Sequence, residues 1–270
     1  MSNLETILVT TKEDLLQYRD KICLLFHDCF SSKMSLGLWE WAYINNIYGP
    51  PVVALSFDGD RLVAHYAVIR NDLANQEQGV LKTGLSMTTM VAESHRKHYL
   101  FTALAELVYD ELKSQSFNLV CGFPNEMSVP GFKKRLQWTI LESSYIAKIT
   151  KEQLVNSSKL IEYINDTKRF GFDYSNKSKL KWRTSKPEVR YETSPKGTFK
   201  SYEGQIDLMY LTNEIIQSLD YNSAYNIFLD SSIIDLEKYK VFDYPFGYRS
   251  FDGENYDDLI SLSMIMSDVF

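Results

Sequence analysis

The chain has 270 residues, 44% hydrophobic and 24% charged, with a formal net charge of −6. That is ample for a real core, too apolar for disorder, and the wrong sign for a general nucleic-acid or anionic-membrane surface. Three cysteines (Cys23, Cys29, Cys121) without metal spacing, and no leader-like or transmembrane run, lead us to expect a reducing cytoplasm.

Thr6 to Thr10 read as a strand and Lys12 to Phe30 as a helix, with Leu15, Leu16, Ile22, Leu25 and Phe26 inward. A second helix over "SLGLWEWAYINN" stops at Gly49-Pro50-Pro51. "PVVALSF" and "RLVAHYAVI" form a hairpin across Asp58-Gly59-Asp60, because Asp-Gly is a strong turn signal. "GVLKTGLSMTTMVA" is a further strand, and the helical spacing of Leu100, Phe101, Leu104, Leu107, Val108 and Leu112 predicts a long helix after it. "FNLVCGFP" is a buried-type strand, "EMSVPGFKKR" a short helix and "WTILESSYIAKI" a last strand. A connecting helix falls within 150–170. Residues 171 to 270 are less regular, and "LKWRTSKPEVRYETSP" echoes "LWEWAYINNIYGPPVVAL" around a tryptophan.

The densest basic cluster, His95, Arg96, Lys97 and His98, sits where the long helix begins. Cations are disfavoured at that end of the macrodipole by roughly 0.3–1 kcal/mol each. The cluster makes sense if an anion binds there, met by unpaired helix N–H groups and by charge-assisted hydrogen bonds. A solvated basic turn is the plainer alternative.

In its order of elements this stretch resembles the GNAT superfamily of acyl-CoA-dependent N-acyltransferases. "TTMVAESHRKHYLFTALAEL" aligns with the family's strand and phosphate-wrapping turn, Arg/Gln-x-x-Gly-x-Gly/Ala, with Arg96 at the first position. "VCGFPNEMSVPGFKKRLQW" looks like the later motif, with Asn125 at the strand end and Leu136–Trp138 in place of Leu-Gly-Phe. The resemblance covers about Thr6 to Ile149. It implies a mixed central α/β sheet with helices on both faces over 1–150. A smaller C-terminal α+β half over 151–270, read as a degenerate repeat, would contribute to the acceptor site. It also implies acyl-CoA as co-substrate, without metal, held by Thr89, Met90, Val91, Arg96, Lys97, His98, Tyr99, Leu100, Phe101 and Asn125. Tyr99 and Phe101 occupy the two glycine positions and Gln137 replaces a third glycine. The position of the tyrosine that protonates the leaving thiolate holds Lys133.

Acyl transfer to an amine needs a neutral amine, a donor for the developing oxyanion and a path for the thiolate to leave. The family's arrangement puts the donor on the backbone near Thr89 or Met90. His65 is the candidate base, with Glu93, Asp72 and Glu126 as alternatives; the plainer reading of His65 is a hydrogen-bonded core residue, and His27 reads as structural. Cys121 sits in apolar "NLVCGF", where burial makes a thiol inert, so transfer is expected to be direct, without an acyl-enzyme. Nucleophile elbow, Walker loop, zinc spacing and dinucleotide fingerprint are all absent from the sequence.

The motif wording and extra half look like the GNAT enzymes of bacterial surface-polysaccharide (O-antigen) synthesis. That implies transfer of acetyl or 3-hydroxybutanoyl to a nucleotide-linked amino sugar such as a dTDP-3-amino-3,6-dideoxyhexose. Trp41, Tyr244, Tyr248 and Arg249 are the candidate acceptor contacts: aromatic faces for the base, a guanidinium for phosphate. A homodimer is a possible assembly. The alternatives are a non-catalytic GNAT-like module that binds coenzyme A or a metabolite, and an aminoacyl-tRNA-dependent transferase.

Overall fold

Thr11 accepts the Asp14 N–H on its hydroxyl, so α1 (Lys12–Phe30) starts at Lys12, and Ser31 in the left-handed conformation ends it. Ser35 caps α2 (Leu36–Tyr43) in the same way. The computed structural model describes residues 4–267. Its other first-half elements are β1 (Leu4–Val9), β2 (Val52–Asp58), β3 (Arg61–Arg70), β4 (Leu73–Asn75), β5 (Gly79–Leu81), β6 (Thr83–Val91), α3 (Leu100–Ser114), β7 (Leu119–Gly122), α4 (Val129–Arg135) and β8 (Thr139–Leu141). Then come β9 (Tyr145–Thr150), α5 (Lys151–Val155), α6 (Ser158–Ile164), β10 (Gly171–Phe172), α7 (Lys177–Thr184), β11 (Tyr191–Ser194), β12 (Gly197–Tyr202), β13 (Gln205–Leu208), α8 (Asn213–Ser218), β14 (Ala224–Leu229), β15 (Lys240–Asp243) and β16 (Phe246–Ser250).

The first sheet runs β1-β2-β3-β6-β7-β16-β8 and the second β11-β12-β13-β14-β9-β15; β10-β4-β5 form a small third sheet. Neighbouring residues of a strand face opposite ways. His65 meets Tyr43 of α2 while Tyr66 meets Tyr109 of α3, so helices cover both faces of the first sheet, as expected.

The two large sheets repeat one plan. Each has an antiparallel meander (β2-β3-β6; β11-β12-β13), then a helix, then a parallel strand (β7; β14). Beyond it lie an antiparallel strand and an edge strand. The expected repeat is therefore real, but the halves have exchanged a strand. β9 follows β8 in the chain yet pairs with β14 and β15, while β16 follows β15 yet pairs with β7 and β8. What reads as one last strand, "WTILESSYIAKI", is two strands in two sheets. The boundary expected at residue 150 is one of sequence: β9 before it belongs to the second sheet, and β16 far beyond it to the first.

The tryptophan echo marks the approximate two-fold axis. Trp41 of α2 and Trp182 of α7 stack at 5.4 Å and 12°. Trp41 Nε1 donates to the Trp182 carbonyl (2.8 Å) and Trp182 Nε1 to the Trp41 carbonyl (3.1 Å). Contacts that swap partners in this way are the mark of a two-fold. Trp41 is buried in this pair and unavailable to an acceptor, which corrects its expected role.

Candidate active site

β6 and β7 pair in parallel from Thr83↔Leu119 to Leu85↔Cys121. Beyond that last pair a cavity of about 360 Å³ opens between Ser86–Thr89 and Gly122–Asn125, with Phe132 and Trp138 lining it and Phe26 and Phe30 of α1 at its side. A Cβ on Gly122 would lie 3.3 Å from the Ser86 carbonyl oxygen and 3.4 Å from the Trp138 ring, so a side chain there would press on both strand and ring.

A β-bulge shapes the β6 wall. His65 pairs with Met90 and Ala67 with Met87, so Thr88 and Thr89 together face the single residue Tyr66. Thr88 sits at φ 53°, a left-handed conformation that a β-branched residue rarely adopts. His65 Nδ1 donates to the Thr88 carbonyl at 2.7 Å, which pins the bulge. The ring is fully buried, its Nε2 has no partner, and burial pushes its pKa down to about 4. His65 does not line the cavity. It is a neutral prop behind the bulge, and this corrects its expected role as base.

A hydroxyl chain braces the divergence from the α3 face. Ser86 donates to the Tyr66 hydroxyl (3.0 Å), Tyr66 and Tyr109 share a hydrogen at 2.7 Å, and Trp138 Nε1 donates to Tyr109 (2.9 Å). It links β3, β6, α3 and the residue before β8, and burial raises both phenols so that they stay protonated.

The basic cluster lies just before the first turn of α3. Glu93–His98 make a tight helical turn, Tyr99 follows at φ 57°, and α3 begins at Leu100 with no side-chain cap. His95 points inward: its Nε2 is 3.2 Å from Asp58 and its Nδ1 2.8 Å from the Ser94 hydroxyl. Arg96, Lys97 and His98 are exposed and form no salt bridge among the described residues. Tyr99 sends its side chain into solvent (73% exposed), so the tyrosine in the glycine position leaves the backbone beside the helix open. Leu100 is buried, and Phe101 packs on Phe132 and Tyr66 instead of entering the cavity.

Thr89 and Asn125 line the cavity; Met90 is buried and Val91 half-buried beyond the bulge. Asn125 Oδ1 accepts the Ser128 N–H, fixing the turn into α4. Lys133 is turned away, 55% exposed and paired with Glu142, which corrects its expected role as thiolate acid. Of the alternative bases, Asp72 is held by Arg70 and the Thr83 N–H, whereas Glu93 and Glu126 are exposed. Cys121 is buried and its pKa is raised to about 12, so it is inert.

The acceptor contacts read from the C-terminal half are engaged elsewhere. Arg249 pairs with Glu106 of α3 at 2.6 Å over the Tyr109 ring, and Tyr248 is buried, hydrogen-bonded to Asn255 and Asp257. Tyr244 alone comes near the cavity, stacked at 5.5 Å on Phe123, with its hydroxyl on Ser267. The residues missed in sequence are Ser86, Phe123 and the Tyr66–Tyr109–Trp138 chain. The Gly122-Phe123-Pro124 punctuation after a buried strand was the available signal.

Residues 11–141, which hold this cleft, match the family model described as Acetyltransferase (GNAT) domain. Residues 11–141 are therefore similar to a GNAT acetyltransferase domain, and that match indicates an acyl-CoA-dependent N-acyltransferase; GNAT acetyltransferases use acetyl-CoA. A GCN5-related N-acetyltransferase from Kribbella flavida is 9% identical with a TM-score of 0.62, over 92% of this chain and 72% of that one. A second from Anabaena variabilis is 12% identical with a TM-score of 0.57, over 91% and 73%. A candidate acetyltransferase from Pyrococcus horikoshii is 12% identical with a TM-score of 0.56, over 98% and 94%. At such identities the likeness is one of fold. No curated protein matches this chain in sequence. Among the described residues no group of acidic, histidine or cysteine side chains is arranged to hold a metal, and no helix is long and apolar enough to cross a membrane.

Proposed function

We propose that the GNAT domain transfers acetyl from acetyl-CoA to the primary amine of a small acceptor, with the thioester lying between the diverging strands β6 and β7. One observation carries this reading. The parallel pair opens directly after Leu85↔Cys121, beside a helix start with no side-chain cap and the unpaired cations Arg96 and Lys97. Backbone N–H groups and these side chains suit a pyrophosphate. The bulge at Thr88 and Thr89 turns main chain out of the β3 ladder, where an N–H can meet the carbonyl oxygen as it gains charge.

Among the described residues the lining contains no carboxylate, imidazole or lysine. The amine therefore arrives neutral or gives its proton to water, attacks the carbonyl directly, and expels the thiolate. The protic side chains at hand for that thiolate are Ser86, Thr88, Thr89 and Ser128. The narrower acceptor expected from sequence, a nucleotide-linked amino sugar, now rests on the resemblance alone, since Arg249, Tyr248 and Trp41 are committed to the fold.

Calorimetry with coenzyme A tests the cleft. Arg96→Glu should weaken binding at least tenfold and reduce its salt dependence; unchanged affinity would remove the assignment. Thiol release with a panel of free and nucleotide-linked amino sugars and simple amines tests the acceptor. The rate should rise with pH along each amine's own titration, since the described lining offers no side-chain base.

A further inference from the structure

The strand plan repeats, so the coenzyme cleft has a counterpart. In the second half the parallel pair β13 and β14 meets at Asp207↔Asn226 and then parts. A larger cavity, about 480 Å³, opens there, lined by Tyr210 and Leu211 after β13 and by Phe228 and Leu229 of β14. Its remaining walls come from α6, residues 166–175 before, in and just after β10, the β4–β5 hairpin and residues 261–263. Phe123 and Phe228 each lie two residues beyond the last parallel pair of their own half. Their rings touch edge to face at 5.8 Å, so the two cavities stand back to back across one aromatic layer.

The second cavity has lost what the first offers a phosphate. The helix that follows, α8, is a six-residue stub whose start is capped by the Thr212 hydroxyl, and Glu214 lies in its first turn. Where the first half sets Arg96 and Lys97 between strand and helix, the second has no cation between β13 and α8. Of the lining charges, Asp166 is answered by Arg169 at 3.2 Å, and Arg169 in turn covers the Tyr163 ring. Asp173 has no salt bridge among the described residues; its Oδ1 accepts from the Ser175 and Asn176 N–H groups and the Ser175 hydroxyl. The buried Lys179 feels Asp173 but gives its hydrogen bond to the Asp72 carbonyl. Beside Asp173, Tyr174 and Tyr210 stack at 4.8 Å and 5°. Aromatic faces next to a carboxylate that no salt bridge engages attract a cation and repel an anion.

We propose that this second cleft binds a small organic ammonium ion, its nitrogen towards Asp173 and its body against the tyrosine pair, and that it is no longer a coenzyme A site. The site is separate from the transfer cleft, and the proposal stands whatever amine is acetylated there.

The test is calorimetric, on the full chain with the first cleft saturated by coenzyme A. Tyramine should bind one to one and at least tenfold more tightly than its neutral analogue 4-ethylphenol. Asp173→Asn keeps the turn-forming oxygen and should erase that preference while leaving coenzyme A affinity unchanged. Tyr174→Leu, at a residue 45% exposed, should weaken tyramine at least fivefold with the melting temperature preserved. The proposal is overturned by equal affinity for the neutral analogue or by a tyramine preference that survives Asp173→Asn. Coenzyme A binding with a stoichiometry of two would equally overturn it.

Discussion

A histidine with one nitrogen hydrogen-bonded and the other buried without a partner resists protonation, because the charge would have nothing to meet it. His65 is in this position, with its pKa brought from 6.5 to about 4. As pH falls the unfolded chain takes this proton first, so the linked stability is complete above about pH 6.5 and is lost as pH falls towards 4. The total at stake is roughly 3 kcal/mol. Melting temperature should therefore fall more steeply between pH 6.5 and 4 in the native chain than in His65→Leu; parallel profiles would refute this. The same residue shows what one sequence can reveal. The pattern "RLVAHYAVI" places a histidine inward and makes the core role the plainer reading, but it cannot show the Thr88 carbonyl that the ring supports. Arg249, Tyr248 and Trp41 failed as site residues for a related reason. An arginine beside tyrosines reads alike whether its partner is a phosphate or Glu106, and the choice is made by a helix far away in the chain.

Among the elements, those set by local chemistry were legible in their bounds, although Leu16, expected inward, is exposed. The Lys12–Phe30 helix and the Asp58-Gly59-Asp60 hairpin follow from a cap, a period and a turn. The spacing from Leu100 onward also marks the start of α3, but the turn before it was not legible, because Tyr99 takes a conformation that no local rule assigns to tyrosine. Holding it there costs about 1–2 kcal/mol. Glycine pays no such penalty and would add no contact, since the side chain is in solvent. We expect Tyr99→Gly to raise the melting temperature by about 2–4 °C and to leave coenzyme A affinity intact or improved. A drop in affinity would mean that the ring itself touches the ligand. β5 was merged with β6 in sequence, since Lys82 alone separates two runs of the same period, and the short β4 was not read as a strand.

For the molecule as a whole, the strand exchange makes the halves one cooperative unit. A chain ending after Thr150 lacks β16, which leaves β7 with a bare edge and β8 with no partner in its sheet. β9 would be left without β14 and β15. Such a chain should be insoluble or show no cooperative melting transition, while the full chain melts in one step; a soluble, cooperative fragment binding coenzyme A would overturn this. Periodicity alone cannot show such an exchange, because it marks β9 and β16 as strands without saying which sheet each joins. The consequence reaches back to the ribosome. From Gly122 to Phe246 the nascent chain runs on for about 120 residues, roughly 6–25 s of elongation at ~5–20 residues per second. Throughout that interval the catalytic sheet has emerged but cannot be finished, and its open β7 edge could pair with another nascent copy. Slow or crowded translation should favour intertwined dimers in which each copy lends its β16 to the other.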